Sequence, residues 1–283
     1  MESSETPAGQ GTKKWDAFTA VRWCDQALAW ANRVMTAARY ESLESQVERL
    51  GHYALIAAAA LGLIYGIVAA FKWDQLSPFL MGIAWLPCVG VAQYAAFKFS
   101  STSRGLIKTS GSQLSSQSFL VCLALWSLIL GIITLVGFTY MAIRMDSFSS
   151  FGTGVGAFVI FELVVWLCLN PALLNIDIIP ASTAGEEAIG VITFFMKTLL
   201  RLVPIAFGVG VIIGDVEIIA AIIRLFRGQE YSMLGVTSSA WMVLGSAALP
   251  LVGYILFVLN YLVLDIIRAI LSIPGKLDVI GRK

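Results

Sequence analysis

The sequence predicts an all-α, polytopic membrane protein: about six transmembrane helices, an amphipathic helix lying in the membrane interface, and an N-terminal cytoplasmic helical arm. Three observations predict it. Of 283 residues, 58% are hydrophobic and only 13% charged, against about 25% charged in an ordinary soluble domain, and mean hydropathy is +0.82. Apolar runs recur at the length that crosses a bilayer, about 20 residues for about 30 Å of hydrocarbon. The basic residues fall unevenly between alternate loops. So few charges cannot coat a soluble globule of this size. That excludes a soluble enzyme, a disordered polymer and a nucleic-acid binder with a basic face. The 19 Lys and Arg against 18 Asp and Glu leave a net charge of +1, so no overall field selects an acidic partner.

The first 14 residues are small and polar, with Pro7, Gly9 and Gly11, and read as a disordered tail. Residues 15–52 form the arm. From Trp15 to Leu50 there is neither Gly nor Pro, which suits a long helix or a helix pair. Val21, Cys24, Leu28, Ala31, Met35 and Ala38 share one helical face, and Arg22, Asp25, Asn32 and Arg33 lie opposite. Trp15, Trp23 and Trp30 suit the half-wet membrane interface. The arm therefore lies on the cytoplasmic leaflet, packs on neighbouring subunits or folds back on its own membrane domain. The small residues at 27, 31 and 38 favour packing.

The transmembrane domain covers 53–272, with a cytoplasmic tail at 273–283. No cleavable signal peptide precedes the first run. The spans are Tyr53–Phe71, Pro78–Phe97 closed by Lys98, Phe119–Ile143 closed by Arg144, Val155–Leu174, Pro204–Phe226 and Trp241–Leu264. The run from Ala188 to Phe226 is about 58 Å long as one straight helix, nearly twice the hydrocarbon thickness. Pro204 is its natural break, because proline lacks an N–H and clashes with the preceding turn. Before it, Glu186, Gly190, Thr193, Lys197 and Arg201 recur at three- and four-residue steps, a narrow polar stripe on a greasy helix. Thr183 and Glu186 fit a capping box. Residues 184–203 thus read as a helix lying in the interface. A span or re-entrant segment is the alternative. With the N-terminus inside, fifteen basic residues fall on the cytoplasmic side and four outside, a firm positive-inside bias. Both termini are therefore expected in the cytoplasm, the membrane being of the bacterial inner type.

Ionisable side chains in a span cost about 2.5–3.5 kcal/mol each at mid-helix, so each needs an explanation. Glu162 lies roughly 10 Å deep by helix rise, and Asp215 roughly 16 Å, near the midplane; Glu217 follows half a turn later. With opposite chain directions, Glu162 and Asp215 reach similar depth. Two facing carboxylates in hydrocarbon hold a shared proton or a cation. Glu162, Asp215 and Glu217 are therefore the candidate ion or proton site. The structural alternative makes them hydrogen-bond acceptors between helices, with Gln93 and Asn260 as further polar links.

Two GxxxG motifs lie in apolar runs, Gly62 with Gly66 and Gly210 with Gly214, and a third, Gly152 with Gly156, opens span four. Small residues let lipid-embedded helices approach closely, within one chain or between chains. Other chemistry is missing. Cys24, Cys88, Cys122 and Cys168 form no Cys-x-x-Cys pair, and His52 is the only histidine, so a disulfide framework, a zinc site and haem ligation are not expected. No Walker A loop, HExxH motif or GxSxG elbow occurs. No catalytic residue, cofactor, metal, nucleotide or nucleic acid is therefore expected, and the protein is read as no enzyme. The expected partners are the lipid bilayer and either further copies of the chain or other membrane subunits. Two functions follow: a non-catalytic subunit assembling through small-residue faces and the arm, or a proton- or cation-coupled transporter or channel using the carboxylates.

Overall fold

The computed structural model describes residues 19–145, 148–179, 184–227 and 233–281. The tail expected at 1–14 and the Thr183 cap lie outside these residues. Seven helices carry the described chain: α1 Thr19–Val34, α2 Ala37–Trp73, α3 Ser77–Thr109, α4 Gln117–Met145, α5 Phe148–Leu169, α6 Ala184–Phe226 and α7 Met233–Gly281. Six of them, α2 to α7, are long and apolar enough to cross a membrane. The protein is thus an all-α integral membrane protein. Its only described strands are three residues each, β1 Ser112–Leu114 and β2 Ile176–Ile178, paired in parallel.

Several boundaries differ from those the sequence suggests. The arm is two helices, as its unbroken sequence allows, but its second half is the beginning of α2 and runs straight into the first span. The fourth span ends at Leu169 rather than Leu174, because Pro171 disfavours helical geometry in the residue before it; a 3-10 turn follows at Pro171–Leu174. The helix of the sixth span, α7, continues to Gly281, well beyond the expected start of the tail.

The largest correction concerns α6. It does not break at Pro204 but continues for 43 residues with Pro204 inside. A proline removes one ladder hydrogen bond and strains one turn. In α6 that turn is buried, with Leu200, Arg201, Pro204 and Ile205 all inside, and packing on several sides holds the helix through it. Residues 184–203 are therefore not a separate helix lying on the membrane. Their polar stripe is turned into the protein.

The chain divides into two compact units, Met1–Tyr40 with Gln117–Pro171, and Glu41–Ser116 with Ala172–Lys283. In the first, α4 and α5 form an antiparallel hairpin. A Cβ on Gly131 would come 3.1 Å from that of Phe161, and one on Gly154 would come 2.5 Å from that of Phe138, so each glycine admits a phenylalanine of the other helix. The same unit holds the break between α1 and α2. The Trp166 indole donates to the Thr36 carbonyl at 3.0 Å, and the Asn170 amide donates to the Met35 carbonyl at 2.8 Å. These bonds satisfy backbone acceptors freed at the end of α1. Tyr40, fully buried, meets the Trp166 ring edge-on at 5.5 Å.

In the second unit α2 and α6 run parallel, and α3 and α7 run antiparallel to them. Two glycine crossings set the spacing. On α2 and α6, a Cβ on Gly51 would lie 2.6 Å from the Gly208 Cα, and one on Gly208 would lie 2.3 Å from the Val47 carbonyl oxygen. On α2 and α3, Gly66 meets the Pro78 carbonyl and Gly82 at 2.7 and 3.1 Å by the same measure, while Gly62 receives the Trp85 ring. The Trp85 indole then donates to the Ala58 carbonyl at 2.9 Å. Between the crossings lies an apolar core that includes Leu55, Ala58, Val89, Phe207, Val211, Ile218 and Val243. At its far end Lys72 donates to the Leu225 carbonyl at 2.7 Å, where a cation suits the end of α6.

Candidate functional site

The second unit concentrates its buried charge near the start of α2, where Lys197 and Arg201 of α6 lie. Glu41, Glu44 and Glu48 follow at three- and four-residue steps on α2, a spacing that puts them on one helical face. Arg201 of α6 meets Glu44 at 2.9 Å and Glu41 at 3.8 Å. Arg104 of α3 makes a two-pronged pair with Glu48, at 2.8 and 3.2 Å. The Arg201 and Glu44 side chains are 7% and 3% exposed, so their charges are compensated by protein rather than by water.

One turn back from Arg201, Lys197 is fully buried. It donates to the Ser110 and Asn175 carbonyls and to the Ser112 hydroxyl, the last two at 3.1 Å. Asn175 has a positive φ of 51°, a conformation that asparagine tolerates better than most residues. Its side chain donates to the Lys108 carbonyl at 2.8 Å. Glu187 receives the Ser115 and Ser116 N–H groups at 2.7 and 3.1 Å. A Cβ on Gly190 would lie 2.4 Å from the Gln113 carbonyl oxygen. The segment 110–116 between α3 and α4 is thus anchored by the first half of α6. Lys197→Met is expected to destabilise the unit by about 1–3 kcal/mol, because two buried carbonyls lose a donor. Faster limited proteolysis within 110–116 is the measurement that checks it.

The three candidate carboxylates have different surroundings. Asp215 is 7% exposed on α6, and its Oδ1 has no hydrogen-bond partner among the described residues. Glu217 is exposed and accepts from the Ser239 hydroxyl of α7 at 3.1 Å. Glu162 is half-buried in the α4–α5 hairpin, and its Oε1 is also without a partner among the described residues. Asp215 and Glu217 belong to the second unit, two positions apart on α6, and Glu162 belongs to the first. Gln93 acts as the expected link between helices, donating to the His52 carbonyl of α2 at 3.5 Å. Asn260 bonds its own helix instead, at Leu256.

The four packing glycines all face helices of the same chain. Gly62 and Gly66 receive α3. A Cβ on Gly210 would lie 2.2 Å from the Ser246 hydroxyl, and one on Gly214 would lie 2.5 Å from Val243, both on α7. Of the third motif, Gly152 and Gly156 face open space. Among the described residues no three His, Cys, Asp or Glu side chains gather as metal ligands. The sequence reading missed Glu44 and Glu48 as buried acids and Arg104 as a half-buried partner. Their signal was present: acids at 41, 44 and 48 lie on one face of α2, and Lys197 and Arg201 stand four apart. No family model matches the chain, and no curated protein or solved structure matches it either.

Proposed function

We propose that the protein is a non-catalytic membrane subunit that assembles with further copies of itself or with other membrane proteins, both termini lying in the cytoplasm of a bacterial-type inner membrane. One observation carries this reading: the exposed apolar surface of the second unit is longer than a bilayer. On α3 exposed large apolar residues run from Leu76 to Phe97, roughly 32 Å by helix rise and close to the hydrocarbon thickness. On α6 they run from Ile192 to Phe226, roughly 51 Å. On α7 they run from Trp241 to Ile270, roughly 44 Å.

Both excesses lie at the same end. Leu200 of α6 packs with Phe257 of α7 and Ile107 of α3, beyond the level at which Arg49 and Lys98 close the apolar runs of α2 and α3. Ile192, Phe195 and Leu199 on α6, with Leu262 and Ile266 on α7, are each 43–60% exposed there. An apolar patch outside the lipid marks a protein contact. The Gly62–Gly66 and Gly210–Gly214 faces are not this contact, since they are occupied within the chain. Light scattering of the detergent-solubilised full chain, with the bound detergent subtracted, is expected to give a protein mass at least twice the 30.6 kDa of one chain, or that of one chain plus a partner, and Leu199→Glu is expected to dissociate it. A monomer with no co-purifying membrane protein would overturn the reading.

A second reading rests on Asp215. A buried carboxylate with an unsatisfied oxygen, flanked by Gly210 and Gly214, is the feature of a proton- or cation-coupled pathway. It predicts cation or proton flux in liposomes that Asp215→Asn abolishes. Flux unchanged by that substitution sinks it.

A further inference from the structure

Where α2 and α3 leave the apolar core, an open groove of about 490 Å³ lies between them. Its mouth carries Arg49, His52 and Gln93, with the rings of Tyr53 and Tyr94 at its edges; Ile56 and Gly90 line its deeper end. By helix rise, Ile56 lies roughly 10 Å beyond Arg49 along α2. The mouth sits at the polar boundary of the bilayer, because Arg49 and Lys98 bracket the two apolar runs there. Tyrosine at this level is the usual interfacial placement.

The mouth is rich in hydrogen-bond donors that the fold leaves unused. Arg49 is exposed and has no ion pair or hydrogen bond among the described residues. The His52 ring forms part of the wall, packed against Phe97 and Phe207, and turns its Nε2 inward. The Gln93 amide spends one N–H on the His52 carbonyl and keeps another. Lys98 adds a second cation, its Nζ 5.7 Å from the centre of the Tyr94 ring. No acidic residue lines the groove, and the nearest one along α2, Glu48, is occupied by Arg104. Deeper in, the surface turns apolar, and at Gly90 no heavy atom lies within 4 Å of the place a Cβ would occupy. A cationic, donor-rich mouth over an apolar slot matches a molecule with an anionic head and a hydrocarbon tail.

We propose that this groove binds one anionic phospholipid, its phosphodiester held by Arg49 and Gln93 and one acyl chain lying along Ile56 and past Gly90. Arg49 supplies charge selectivity, and the gap at Gly90 supplies room for the chain.

The test is native mass spectrometry of the detergent-solubilised full chain, titrated separately with dioleoyl-phosphatidylglycerol and dioleoyl-phosphatidylcholine. The first adduct is expected to favour the anionic lipid by at least about fivefold, the contribution of one basic side chain near an anionic surface. Arg49→Gln, at an exposed position, is expected to remove that preference while leaving the particle monodisperse. Gly90→Leu, which fills the slot from a lipid-facing position, is expected to weaken binding of both lipids. Equal binding of the two lipids by the unaltered chain would mean only an annular lipid and would overturn the proposal. A preference that survives Arg49→Gln, or binding that survives Gly90→Leu, would overturn it equally. Displacement of the anionic lipid by excess inorganic phosphate would assign the site to free phosphate instead.

Discussion

Arg201→Leu is expected to lower unfolding stability by about 3–5 kcal/mol, the usual result of removing one partner from a buried ion pair. The loss comes less from the missing attraction than from what remains. Glu44 stays buried at 2% exposure, with Glu41 and Glu48 on the same face of α2, and Arg104 alone is left to offset three acids. A compensating pair follows from the same physics. Arg201→Leu combined with Glu44→Leu removes both charges, and replacing a buried pair by apolar side chains is often neutral or better. The double variant is therefore expected to recover most of the stability lost in the single one. Denaturation midpoints of the three proteins in one detergent check this. A double variant no more stable than Arg201→Leu would show that Glu44 is not the group left stranded.

Gly208→Ala is expected to be the most damaging small substitution in the second unit. Its new methyl would be directed at the Val47 backbone, 2.3 Å from the carbonyl oxygen, and a helix backbone has no rotamer through which to yield. Overpacking in a tight core costs typically about 1–3 kcal/mol and sometimes more, and here relief requires the α2 and α6 axes to separate. Gly137→Ala is the matched control. Nothing lies within 4 Å of its added carbon, so alanine's higher helix propensity, worth up to about 1 kcal/mol, acts alone and in the stabilising direction. Thermal unfolding of the two variants beside the parent is expected to shift in opposite directions. Equal shifts would mean that the α2–α6 crossing is looser than its spacing implies.

Much of the fold was legible because hydrocarbon imposes a simple length rule. The spans of α2, α3 and α4 follow from apolar runs closed by charges, and the core begins where those charges stop. The polar stripe of α6 was legible as a stripe but not as an interior surface. Periodicity reports that Glu186, Gly190, Thr193, Lys197 and Arg201 share a face. It does not report whether water, lipid headgroups or backbone carbonyls from distant loops satisfy that face. The partners of Lys197 lie 22 to 87 positions away along the chain, and no local pattern encodes them. Pro204 misled for a related reason, since a helix stop inferred from one residue gives way when buried neighbours hold both sides. Of the candidate carboxylates, the adjacency of Asp215 and Glu217 follows from the α6 sequence itself.

The short parallel pairing of β1 with β2 has a topological meaning. Ser112 pairs with Ile176 and Leu114 with Ile178, yet more than 60 residues separate the two strands along the chain. Everything between them, α4 and α5 included, leaves and re-enters the second unit through adjacent strands. Seen this way, α2, α3, α6 and α7 are a host framework closed at its own seam, and the α4–α5 hairpin is a guest.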